Sequence, residues 1–102
     1  GAANPYLLQA SLIGTGLWGV ENKTAPGKRL DIDMYAEGHK VRNAPKLPLN
    51  LLDALRNFQL NKILRGILGA AFADSYYKLK MDEWNNYMQH FSEWERLNAL
   101  DV

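Results

Sequence analysis

The sequence predicts a mainly α chain, and three observations lead there. Apolar residues recur at helical spacing, most regularly as Tyr77, Met81, Trp84, Met88 and Phe91, which follow i, i+4, i+7, i+11 and i+14 along one helix face. Helix start and stop residues punctuate the chain at Asn4-Pro5, Asn50, Asn61, Gly69 and the Ser92/Glu95 pair. Alternation of apolar and polar residues marks one short stretch, residues 30–35, as a strand or extended segment.

The first helix is predicted over residues 4–20. Asn4 suits the N-cap, and Pro5 suits the first helical position, where its missing N–H had no partner anyway. Tyr6, Leu7, Leu8, Ala10, Leu12, Ile13, Leu17, Trp18 and Val20 go nearly all the way round this helix. Only uncharged Gln9, Ser11 and Thr15 interrupt them, and no charged residue precedes Glu21. A helix apolar on every side is one buried in a large protein or a membrane, and a chain this short struggles to cover it. Spanning a membrane takes about 20 consecutive, mainly apolar residues. The run here holds Gln9, Ser11, Thr15, Gly14 and Gly16 and meets Glu21-Asn22-Lys23 directly, so the buried reading is preferred. Gly14 and Gly16 are expected where another backbone packs closely. The chain does not begin with Met. It is expected to be the C-terminal piece of something larger, 1–102 forming one fragment.

Residues 21–49 read as an irregular loop, broken by Pro26-Gly27, Gly38, Pro45 and Pro48. A loop of this length inside a compact domain is either functional or laid across a partner surface. Residues 50–58 form a short helix capped by Asn50, with Leu51, Leu52, Leu55 and Phe58 on one side. Residues 61–68 form a second, capped by Asn61, with Ile63, Leu64, Ile67 and Leu68 inward and Gly69 as terminator. The long helix covers residues 71–91. A final one covers residues 92–99, started by the Ser92/Glu95 capping box and carrying Trp94 and Leu97.

Composition narrows the function classes. The net charge is +1, so the whole chain shows no bias toward nucleic acid, anionic lipid or acidic substrates. The absence of cysteine removes a disulfide framework, a thiolate zinc site and a catalytic thiol, and fits a reducing cytoplasm. His39 and His90 have no ligand or orienting partner at helical spacing, so metal and general-base roles are not assigned to them. The segment from Lys23 to Lys46 is mildly basic but too sparse in charge and aromatics for nucleic-acid binding. Gly14-Thr15-Gly16-Leu17-Trp18-Gly19 has neither the spacing nor the preceding strand of a phosphate-binding loop. The residues taken alone show no catalytic, cofactor-binding or metal-ligating set. They show helices that want a partner surface. One alternative is a free-standing helical module that dimerises through its apolar faces without catalysis.

A set of ordered motifs resembles the C-terminal region of the glutamine synthetase family. Ala3-Asn4-Pro5-Tyr6-Leu7 and Gly16-Leu17-Trp18-Gly19-Val20-Glu21-Asn22-Lys23 look like its opening. Leu47-Pro48-Leu49-Asn50 with Leu52-Asp53-Ala54-Leu55 is similar to its LP-x-x-L-x-x-A-L helix. Ile63-Leu64-Arg65 with Leu68-Gly69 matches its VLR-x-x-LG turn. Tyr76, Lys78 to Lys80, Glu83-Trp84, Tyr87 and Ser92-Glu93-Trp94-Glu95 match its closing pattern. The resemblance covers essentially the whole chain, in order. Residues 31–35 look most like the divergent bacterial branch of glutamine synthetase-like and gamma-glutamylamide-forming ligases.

The resemblance implies a helical C-terminal portion of a catalytic domain whose parent fold is α+β. It implies a parent cytoplasmic ligase of glutamine biosynthesis. With ATP and two divalent cations, Mg or Mn, that ligase activates the side-chain carboxylate of glutamate as an acyl phosphate, which ammonia or an amine then attacks. The metal-binding carboxylates and phosphate-binding arginines of the family lie on strands upstream of the Asn-Pro-Tyr motif. No catalytic, cofactor-binding or metal residue is therefore assigned here, and this chain alone is expected to be inactive and to bind no cofactor. The implied partners are the remainder of the enzyme and neighbouring subunits of a homo-oligomer, a hexameric ring or dodecamer, with no nucleic acid and no membrane. Tyr35 lies near the position of a regulatory tyrosine in some members. Its neighbours Asp33-Met34 and Ala36-Glu37 depart from that pattern, and the role is not carried over.

Overall fold

The computed structural model describes residues 3–42 and 45–99. The expectations for residues 1, 2 and 100–102 lie outside them. The chain is mainly α, with no strand among the described residues. It divides into two units, Gly1–Pro48 and Leu49–Val102.

The first unit is dominated by α1, Pro5–Glu21. The Asn4 side chain accepts from the Tyr6 and Leu7 backbone N–H groups at 3.0 and 3.2 Å, which satisfies two of the four donors a helix start leaves free. The helix stops in a Schellman motif. Lys23 N–H donates to the Val20 carbonyl and Thr24 N–H to the Gly19 carbonyl, with Lys23 at φ 51° in the left-handed region. The Asn22 side chain adds a bond to the Trp18 carbonyl at 2.8 Å.

Residues 30–35 do not form a strand. Asp33 caps a short helix, α2 (Met34–Glu37), by accepting from Tyr35 and Ala36, and a 3₁₀ turn, Gly38–Lys40, follows. An aspartate with three helix-compatible residues after it offers the backbone a local partner, whereas an isolated strand has no neighbour to pair with.

The second unit holds α3 (Leu51–Leu60), α4 (Lys62–Leu68), α5 (Ala70–Gln89) and α6 (Glu93–Ala99). Each start is built from the sequence. Asn50 accepts from Asp53 N–H at 2.9 Å, and Asn61 accepts from Leu64 N–H at 3.0 Å. Ser92 and Glu95 exchange bonds reciprocally: Ser92 N–H and Oγ–H donate to the Glu95 carboxylate, and Glu95 N–H donates to Ser92 Oγ. Gly69, at φ 89°, both ends α4 and precedes α5, a conformation open to glycine and strained for side-chain-bearing residues. Helices α3, α4 and α5 pack against one another. Their centre is Leu55, 3% exposed, and Ala73, fully buried.

Candidate functional site

What the described residues present is a set of packing surfaces. In α1 no residue is buried; Leu12 and Leu17 stand 64% and 59% exposed, and Tyr6, Leu8, Ile13 and Val20 are exposed as well. The helix is apolar on all sides, so no rotation about its axis could present a wet face to solvent and a dry one to a core. The close backbone contact expected at Gly16 is not made among the described residues; a Cβ placed there would meet open space.

In the second unit the apolar stripe of α5 is covered over part of its length. Tyr77, Met81 and Trp84 are half-buried and Met88 is exposed; the helix ends at Gln89, short of the expected residue 91, so Phe91, also exposed, lies beyond it. The covered part centres one turn earlier than the stripe suggests, on Ala73 and Tyr76. Tyr76 packs edge-on to Phe58 of α3 (centroids 6.0 Å apart, planes at 80°) and stacks with Phe72 (6.1 Å, 13°). In α4, Leu64 and Leu68 are half-buried but Ile63 and Ile67 are exposed, so two of the four residues expected inward lack cover. Trp84 and Tyr87 lie 6.0 Å apart with ring planes at 41°. Trp94 and Leu97 on α6 are exposed.

One polar side chain ties the three helices together. Arg65 on α4 donates through Nη1 to Gln59 Oε1 of α3 at 2.7 Å and through Nη2 to Asp74 Oδ1 of α5 at 2.5 Å. Its Cζ sits 5.8 Å from the centre of the Phe58 ring. The side chain is 19% exposed, and the planar fork reaches two helices at once while its face lies over an aromatic ring, a geometry an ammonium does not reproduce. The sequence pattern marks Arg65 as part of a turn motif but gives no sign of this role.

The other ion pairs lie at the surface. Lys40 meets Glu37 at 2.6 Å and Arg29 meets Asp31 at 2.5 Å in the irregular segment, so two of its cations are already matched by carboxylates. Lys80 pairs with Glu83, and that bond holds its ammonium above its usual range. The Ser92 hydroxyl, then the Ser92 N–H, hold the Glu95 carboxyl below its usual range. His39 lies on the 3₁₀ turn, and His90 is the C-cap of α5, where its N–H donates to the Tyr87 carbonyl. Among the described residues no three or more His, Cys, Asp or Glu side chains gather to hold a metal ion, so these residues do not fit the two divalent cations implied by the resemblance. No described helix is long and apolar enough to cross a membrane.

The helices define a class of structure: a mainly α segment whose largest features are apolar helix faces. Comparison with known proteins makes the class specific. The family profile described as glutamine synthetase, catalytic domain, matches residues 1–99. Glutamine synthetases of Rhizobium leguminosarum bv. phaseoli and Rhizobium meliloti (strain 1021) are 56% and 57% identical over all of this chain and 23% of each relative. A glutamate–methylamine ligase of Methyloversatilis universalis is 35% identical over 98% of this chain and 23% of that protein. This chain belongs to the glutamine synthetase family, a family of ligases, and spans about a quarter of the length of the curated relatives it matches.

Proposed function

We propose that these residues are the C-terminal helical portion of a cytoplasmic, ATP-dependent ligase that joins ammonia or an amine to the γ-carboxylate of glutamate through an acyl phosphate. Their own part is structural: α1 is a central strut covered by the rest of the catalytic domain, and the α5–α6 surface packs within or between subunits of a homo-oligomer. ATP and Mg or Mn are bound by the rest of the enzyme, and no step of the reaction is assigned to a residue of this chain.

The observation that supports the reading most directly is α1. A 17-residue helix, apolar all round, has no buried residue. Among its large apolar side chains, Tyr6, Leu8, Leu12, Ile13, Leu17 and Val20 stand exposed along one element, the kind of surface that marks an interaction site. The matched relatives are roughly four times as long, which leaves ample protein to cover it.

The test is a chimera in which this chain replaces the matching quarter of the Rhizobium leguminosarum enzyme. Amide formation from glutamate, ATP and ammonia is expected from the chimera and not from the 102-residue chain alone. A Leu12→Glu chimera is expected to lose both activity and assembly. Turnover by the isolated chain would end the proposal, as would a chimera indifferent to a charge at Leu12.

A further inference from the structure

No further inference is drawn: the strongest candidate, the exposed apolar surface patch running from Tyr87 and Met88 at the end of α5 through Phe91 to Trp94 and Leu97 on α6, is an unpartnered face, and nothing in the structure shows what covers it.

Discussion

Helix α1 and the α3–α5 group both carry many apolar side chains but dispose of them differently. In α3 and α5 the apolar residues lie on one side, and each helix buries a residue against the others, Leu55 in one and Ala73 in the other. In α1 they surround the axis, and none is buried. A one-sided helix needs a single neighbour to remove its apolar surface from water. A helix apolar on every side needs several, and the amount of protein required grows accordingly. Pattern, more than hydrophobicity, decides whether a stretch of about 100 residues can shelter its own helices.

The comparison is tested most severely by paired truncations. Leu55→Ala removes a buried side chain and is expected to cost about 2–5 kcal/mol in the second unit. Leu12→Ala, on α1, is expected to stay within about 0.5 kcal/mol in the isolated chain. Urea titration followed by circular dichroism reads both, and equal losses would mean that α1 is sheltered after all. Next in size is Arg65→Ala, expected to cost about 1–2 kcal/mol because two hydrogen bonds and the packing of the guanidinium on Phe58 are lost, while the exposed Asp74 and Gln59 return to water. Arg65→Lys should recover less than half of that loss, since one ammonium cannot span both acceptors; full recovery would reduce Arg65 to a simple charge.

Two substitutions at positive φ should move stability in opposite directions. Gly69→Ala puts a Cβ on a backbone at φ 89° and is expected to destabilise the α4–α5 joint by about 1–2 kcal/mol. Lys23→Gly relieves the same kind of strain at φ 51° and is expected to strengthen the end of α1 by up to about 1 kcal/mol. Helix content against temperature distinguishes them, and a shared sign would contradict the account. The smallest effect concerns acid. The Glu95 carboxyl is held below its ordinary value of 4.5, so the capping bonds contribute fully above that pH and are lost as pH falls through the lowered value. Backbone amide signals of Ser92 and Glu95 followed by NMR should shift together below about pH 4.5, and Glu95→Gln should abolish the coupled shift.

Much of this architecture was legible in the residues. Asn4, Asn50, Asn61 and Ser92 announce helix starts because a short polar side chain reaches back to a free N–H wherever it stands, independent of tertiary context. The mainly α class followed from that punctuation and from the one-sided periodicity, and the family followed from motifs that recur in order. The covered turn of α5 did not. Periodicity reports which residues share a face, not how far along that face the neighbour extends, so Met88 and Phe91 belong to the stripe yet remain open. The end of α1 was legible to within one residue, but its left-handed cap was not, because a lysine occupies the position where glycine is the usual signal. The short helix at Met34–Glu37 is obscured in the sequence because alternation over six residues is a stronger pattern than a single capping aspartate. Arg65 gave no advance notice because its partners sit six and nine residues away, on two other helices.

The joint at Gly69 has a consequence for how this segment can tolerate change in length. One residue caps the end of one helix and the start of the next, so no slack separates them. An insertion of a single residue would spin the longer helix by about 100° about its axis. Tyr76 would then swing away from Phe58, and Asp74 would leave the reach of Arg65. Length variation among related chains should accordingly gather elsewhere, in the proline-broken stretch before Asn50, and avoid this glycine altogether.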